Sequence, residues 1–319
     1  MRRALAVLAA TLATAVFPCA LAAVNDAPAP AQHAALEMIV LGSGGPGALG
    51  RASSSYLVLL DGKPRILVDS GPGSFARLGE AHVKLDDLDI VLLTHLHVDH
   101  AAELPGIVKA RAVSAGRPIK FDVFGPSGRE ASSTGGAPYP ATSRFIELLF
   151  SPSGAFAYLK DFSAPVSFRV TDLPVSSADK RSARVIVRDG PLSVSAISGH
   201  HGDAPAVIYR IDYGGRSIVF SGDVDAHGLG ALRAIARGAS LLVFHAVVLD
   251  PPDSPEVLYS LHSPPEAIGE TANDAHVEAL LLSHLSPAVD DNRATVTSSI
   301  ASHYHGHITF AGDGMHIQP

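Results

Sequence analysis

Thr94-His95-Leu96-His97-Val98-Asp99-His100 sets three imidazoles and a carboxylate within six positions, directly after the apolar run Leu88-Asp89-Ile90-Val91-Leu92-Leu93. The run reads as a buried strand, and Ala101-Ala102-Glu103-Leu104-Pro105 after it as the start of a helix. The histidines therefore stand at a strand end. Side chains two apart on extended backbone share a side, so His95 and His97 point together. Asp99 and His100 fall where the chain turns into the helix, placed to face a second ion. Imidazole nitrogen and carboxylate oxygen suit zinc, with manganese or iron as alternatives. Solvated surface histidines rarely come with an intervening aspartate and an apolar strand, so a ligand set is the expected reading.

The heptapeptide resembles the HxHxDH signature of the metallo-β-lactamase superfamily, and other segments agree with that resemblance. Leu41-Gly42-Ser43-Gly44-Gly45-Pro46 and Arg51-Ala52-Ser53-Ser54-Ser55 look like the opening loop of the ribonuclease Z and arylsulfatase-like branch, followed by Ile66-Leu67-Val68-Asp69-Ser70-Gly71. The resemblance puts His201, in His200-His201-Gly202-Asp203-Ala204-Pro205-Ala206, at the third-histidine position. It puts Asp223, in Ser221-Gly222-Asp223, at the bridging carboxylate, and His284 of Leu282-Ser283-His284-Leu285-Ser286-Pro287 at the end of the set. It covers about residues 36 to 317. The fold implied is α/β, a four-layer αββα sandwich.

Composition bounds the rest. The 319 residues are 47% hydrophobic and only 17% charged, enough for a sizeable core. Met1-Arg2-Arg3, the apolar stretch Ala4 to Val16 and Ala20-Leu21-Ala22 have the layout of a secretory signal over residues 1–22, too short to span a bilayer. The expected organisation is that signal, an Ala/Pro-rich linker over 23–35 and a hydrolase domain over 36–319, with a periplasmic or secreted location. The single cysteine, Cys19, falls inside the signal, so the mature chain would hold no disulfide; a lipid anchor on Cys19 is disfavoured by Pro18 before it. The absence of other cysteines also excludes the superfamily branch that uses a cysteine ligand. The chain carries net charge −7, and −9 once Arg2 and Arg3 are removed, 22 basic against 31 acidic side chains. An acidic surface is a poor partner for polyanions. The partner expected on these grounds is a small-molecule ester, with no nucleic acid and no membrane span; a homodimer is left open.

Thirteen strands are expected, from Glu37–Leu41 through His307–Phe310, with helices over Phe75–Leu78, Glu103–Arg111, Thr142–Leu149, Gly230–Ala236, Pro264–Ala275 and Ala294–His303. Tyr213-Gly214-Gly215-Arg216 reads as a tight hairpin turn linking His201 to Asp223. Residues 125–164 lose periodicity and read as an insertion near the site mouth, where Tyr139, Phe145, Phe150, Phe156 and Tyr158 are either pocket lining or core.

By resemblance, His95, His97 and His201 would hold one zinc ion, and Asp99, His100 and His284 a second, with Asp223 bridging them. Paired ions about 3.5 to 4 Å apart lower the pKa of a shared water and offset charge on a leaving oxygen. Asp99 would then orient the attacking water as general base. His262 resembles the histidine that assists the leaving group, and Ser263-Pro264-Pro265-Glu266 after it has the spacing of a capping box with Ser263 as N-cap. Relatives often follow the histidine at position 245 with glutamate; here Ala246 stands instead, leaving Asp250 or Asp253 as substitutes. His200 is expected outside the ligand set, and His227, His276, His303, His305, His307 and His316 have no ligand-like context.

The reading preferred on sequence is an exported binuclear zinc hydrolase of a small phosphodiester or sulfate ester. The alternatives are a ribonuclease Z-like phosphodiesterase acting on RNA, a lactonase or β-lactamase, and a binding protein without catalysis. Against RNA stands the spacing of 22 positions from His201 to Asp223, because the resemblance places the RNA-gripping arm there. Against the β-lactamase stands Asp223, which the histidine-only lactamase branch lacks.

Overall fold

A computed structural model describes residues 35–47, 49–131, 138–162, 164–175 and 182–319. The expected signal, all of the linker but Ala35, and Cys19 lie outside the described residues. Two seven-stranded sheets form the body. Strands β1 (Leu36–Gly42), β2 (Ser55–Leu60), β3 (Lys63–Val68), β4 (Ile90–Leu92), β5 (Ile119–Pro126) and β6 (Val166–Leu173) belong to the first sheet. Strands β7 (Arg184–Asp189), β8 (Leu192–Ser198), β9 (Val207–Tyr213), β10 (Arg216–Phe220), β11 (Leu241–His245), β12 (Ala279–Ser283) and β13 (His307–Phe310) build the second, and β14 (His316–Ile317) returns to the first. The spatial orders are β14-β1-β2-β3-β4-β5-β6 and β13-β12-β11-β10-β9-β8-β7.

Alternation along the strands decides the layering. In β4, Ile90 and Leu92 point into the space between the sheets while Val91 and the following Leu93 point outward, and both sets are buried. The strand needs no polar face, because parallel strands are covered on both sides. Leu241 and Val243 of β11 likewise face the inter-sheet core, and Leu242 and Phe244 the helices Leu229–Ala236 and Pro265–Asp274. Helices Ser74–Glu80, Leu104–Val113 and Thr142–Phe150 cover the other outer face. The four-layer αββα sandwich expected from the sequence is the architecture observed.

The hairpin turn forms as read. Tyr213 pairs with Arg216, and Gly214 and Gly215 take φ of 59° and 81°, the double left-handed turn that suits strand twist. Two expectations need correction. The strand expected over Ile90 to Thr94 ends at Leu92, and Thr94 lies past it, its backbone N–H and hydroxyl drawn to Asp69 instead of a ladder. Ser263 is not the N-cap of the following helix: Pro264 is, and the Ser263 hydroxyl donates to the Val224 carbonyl at 2.9 Å. Asp250 meets that helix end from a distance, accepting the Glu266 N–H at 2.9 Å, a cap supplied from outside the local spacing. Within 125–164, Phe150 is buried, and Phe145 and Phe156 pack against the outer core. Tyr158 is exposed, which leaves Tyr139 beside the site.

Candidate metal centre

The strand ends bring the site together. β10, β11 and β12 run parallel in the second sheet and β4 lies in the first, and each of the four releases a titratable side chain at or just after its end. After β4 the backbone of His97 is extended and forms the N-cap of the short helix Val98–Ala101, which carries Asp99 and His100. His201 comes from the turn between β8 and β9, closed by the bridge His201 to Ala204. Asp223 follows β10, His245 ends β11 and His284 follows β12. Two of these placements need unusual backbone. Gly222 has φ of 57°, and His284, although not glycine, has φ of 56°, a conformation that costs energy and is kept where surrounding structure enforces it.

Seven sequence-chosen side chains converge. His95, His97 and His201 present ring nitrogens within 4.8 Å of one another. On the far side, Nε2 of His284 lies 3.0 Å from Nε2 of His100 and 3.1 Å from Oδ2 of Asp99. Asp223 stands between the groups with one oxygen for each. Its Oδ2 lies 3.5 Å from His201 Nε2 and 4.0 Å from His95 Nε2, and its Oδ1 3.7 Å from His100 Nε2 and 3.6 Å from His284 Nε2. His200 turns away to Asp225, 2.7 Å from its Nδ1.

A second layer orients these rings. Asp69 accepts from His100 Nδ1 at 2.8 Å, from the Thr94 hydroxyl at 2.7 Å and from the Thr94 N–H at 2.7 Å. His201 Nδ1 donates to the Leu261 carbonyl at 2.8 Å. Each contact leaves Nε2 directed at the centre, the arrangement that fixes a ligand's tautomer. Sequence reasoning noted His245 but gave it no role at the site; it is buried and donates through Nδ1 to Asp223 Oδ1 at 2.8 Å. Its Nε2 meets the Tyr56 hydroxyl at 3.0 Å and the Ser54 hydroxyl at 3.2 Å. The signal was present in the sequence, since His245 follows the apolar run Leu241 to Phe244 as His95 follows Leu88 to Leu93.

Electrostatics divide the cluster. Burial, helped by His100, holds His95 well below the usual imidazole range, and burial with His201 lowers His97. Both rings are therefore neutral at pH 7, as a ligand must be. For Asp99, burial works to raise the carboxyl, but the His284 hydrogen bond and His100 outweigh it and hold it at about 2. Burial also acts on Asp223, where His284, His100 and His262 win and keep it ionised. At His100 burial opposes protonation, and Asp223 with Asp69 reverse it. His262 is buried, its Nδ1 3.9 Å from Asp223 Oδ2, and burial lowers it to about 4 against the pull of Asp223.

The donor set fits divalent ions. His95 Nε2 and His262 Nδ1 are buried with no hydrogen-bond partner, and such orphaned nitrogens cost energy unless something binds them. His201, Asp223 and His262 form a further group within 4.8 Å, as do His100, Asp223, His245 and His284.

The Metallo-beta-lactamase superfamily pattern matches residues 48–259. The chain belongs to that superfamily. It is a metal-dependent hydrolase by that membership. A relative named ribonuclease Z, from Mycobacterium avium (strain 104), is 30% identical over 293 residues, 88% of this chain and 97% of its own length. A second ribonuclease Z, from Mycobacterium bovis (strain BCG / Pasteur 1173P2), is 28% identical over 87% of this chain and 96% of its own. Among solved structures, the metallo-beta-lactamase fold protein YhfI from Bacillus subtilis has a TM-score of 0.65 at 20% identity, covering 90% of this chain and all of YhfI. The short form of human tRNase Z has a TM-score of 0.63 at 21% identity, covering 88% and 98%. These two show the fold. The ribonuclease Z relatives overturn the expectation that nucleic acid is excluded as a partner: net charge described the whole surface, while their similarity spans the segments that build the site.

Proposed function

We propose that the chain is a two-metal phosphodiesterase of the ribonuclease Z kind, acting on RNA. One observation carries the reading: Asp223 aims Oδ2 at the His95, His97 and His201 group and Oδ1 at the His100 and His284 group, which Asp99 joins. In this reading those groups would each hold one ion, zinc by donor type, with Asp223 standing between them. The 30% identity to a ribonuclease Z across 88% of the chain supports the choice of substrate bond. The chemistry such ions would supply when bound is a lowered pKa for water and an offset to charge on the phosphoryl oxygens.

The chain's own residues supply the rest. Asp99, ionised down to about pH 2, accepts the proton of the attacking water at Oδ2 and orients its lone pair. Asp69 holds the His100 ring, and the Leu261 carbonyl holds that of His201, so neither must reorganise during reaction. His262 stands on the Asp223 Oδ2 side and passes a proton to the leaving oxygen. A second reading, a small phosphodiester or sulfate ester, is favoured by the compact hairpin of β9 and β10, which turns at Gly214-Gly215 and carries no arm. For location, the charged start and apolar stretch before Ala22 support export, which the N-terminal sequence of the mature protein tests.

Elemental analysis of purified protein should find about two zinc-like ions per chain. Asp223→Ala should lower that count and abolish hydrolysis of bis-p-nitrophenyl phosphate together. Fully active protein with one ion or none would overturn the reading. Hydrolysis of the small diester with no cleavage of a 3′-extended tRNA or a short single-stranded RNA would transfer support to the small-ester reading.

A further inference from the structure

Asp225 is a buried carboxylate, 2% exposed, for which the hydrolytic roles set out above leave no task. Burying a carboxylate is costly unless its oxygens are hydrogen-bonded, so its partners show where that cost is offset. Oδ1 serves its own turn, accepting the His227 N–H at 2.9 Å. Oδ2 reaches across to another loop, accepting the Gly202 N–H at 2.9 Å and a hydrogen bond from His200 Nδ1 at 2.7 Å. The backbone adds a further tie, since the Asp225 N–H donates to the His200 carbonyl at 3.0 Å. His200 and Gly202 flank His201, so residue 225 grips that turn on both sides of the one imidazole between them.

We infer that Asp225 is a positioning residue, a clamp that sets the His201 ring against Asp223. The inference deepens the two-metal reading and rests on it for the consequence at the ion. Asp223 and Asp225 are two positions apart in the segment that leaves β10, so whatever fixes the second carboxylate to the turn also fixes the distance from the first to His201. The turn has reason to need this. Gly202 takes φ of 52°, a conformation open to glycine at the cost of greater freedom to lose on folding. The far end of the ring is held by Leu261, whose carbonyl accepts from His201 Nδ1. Ser263 ties the same segment to the loop of His262 through the Val224 carbonyl at 2.9 Å. Residues 223–225 therefore join the loops that supply His201, Asp223 and His262, the group whose ligand atoms lie within 4.8 Å of one another. A carboxylate suits the task, because its bonds to N–H groups are shorter and stronger than neutral ones.

Two measurements on Asp225→Ala test the clamp, and the first needs no metal. In metal-free protein, amide exchange followed by NMR reports on Ala204, whose N–H meets the His201 carbonyl at 3.0 Å inside the turn, and on Leu285, whose N–H meets the Ser43 carbonyl at 2.8 Å beside His284. Loss of the clamp should speed exchange at Ala204 about tenfold and leave Leu285 within about twofold. In protein titrated with zinc, one of two ions should be held roughly 10- to 100-fold more weakly, the same ion that His201→Ala loses and His284→Ala keeps. Asp225→Asn, which retains an acceptor oxygen of the same reach, should recover part of both effects. Equal acceleration at Ala204 and Leu285, or equal weakening of both ions, would make Asp225 a general support of the fold and overturn the proposal. Faster exchange confined to Ala204 in a chain that takes up no zinc would keep the clamp and sink the two-metal reading; two ions held as tightly in the variant as in wild type would keep that reading and sink the clamp.

Discussion

His245 shows what one side chain contributes without facing the substrate. Its Nδ1–H is the donor that meets Asp223 Oδ1, and burial lowers its pKa to about 4, so the ring stays neutral while it donates. Removing that donor frees the Asp223 carboxylate to rotate. His245→Ala should lower metal affinity by roughly 10- to 100-fold, and His245→Asn, which keeps a donor, should recover part of it. Competition against a chromogenic chelator measures both; unchanged affinity in the alanine variant would remove His245 from the support of Asp223.

His262 separates binding from catalysis differently. With its pKa near 4, the ring rests neutral at pH 7 and donates only after acquiring a proton within the site. If it protonates the leaving oxygen, His262→Ala should reduce kcat about 10²-fold for a poor leaving group and much less for p-nitrophenolate, which departs without help. Equal losses for both leaving groups would point instead to metal binding through the His201, Asp223 and His262 group. The metal content of the variant decides between these outcomes.

At the scale of elements, the turns after the strands are where tolerance is least. Gly222 takes φ of 57°, and a Cβ there would lie 2.8 Å from Cβ of Thr94. Gly222→Ala adds left-handed strain and a clash between the turn that carries Asp223 and the one that precedes His95. It should destabilise the fold by roughly 1 to 3 kcal/mol in denaturant titration and reduce metal content disproportionately. A variant as stable and as metal-loaded as wild type would show that the turn absorbs a side chain.

The long strands and helices were legible because each buries one periodic face, as Ile90 and Leu92 against Val91 and Leu93 illustrate. What escaped was set by distant parts of the chain. β14 is two residues long and exists through pairing with Met38 and Ile39. The cap supplied by Asp250 reaches across 16 positions to Glu266, so a local spacing rule chose Ser263. The ligand candidates were readable because they cluster at strand ends, and His245 was given no role because its partner Asp223 lies past the end of a different strand.

Across the whole molecule, a polar clasp ties the opening loop to the helix after β12. Arg51 donates to Asp290 through Nε at 2.8 Å and Nη2 at 3.0 Å, and Arg293 adds a contact at 2.6 Å. Burial would raise the Asp290 carboxyl, but hydrogen bonds from Arg51 and Arg293 outweigh it and lower its pKa. A carboxyl depressed in the folded state stabilises above the unfolded value of about 4, and the contribution disappears as pH falls through the folded value. Asp290→Asn should therefore be less stable than wild type at pH 7, with the gap closing in increasingly acid solution. Thermal unfolding at a series of pH values reads this directly, and a gap constant with pH would refute the clasp.

The rim where the ladders end draws its ligand candidates from both sheets, with His95 and His284 separated by 189 positions of chain. No fragment emerging during synthesis holds the set until the second sheet has been made and closed on the first. An ion held by the full set would therefore be captured by a nearly finished fold and not by a nascent segment. The metal such a set takes would then depend on the ions available where closure is completed as well as on the donors themselves.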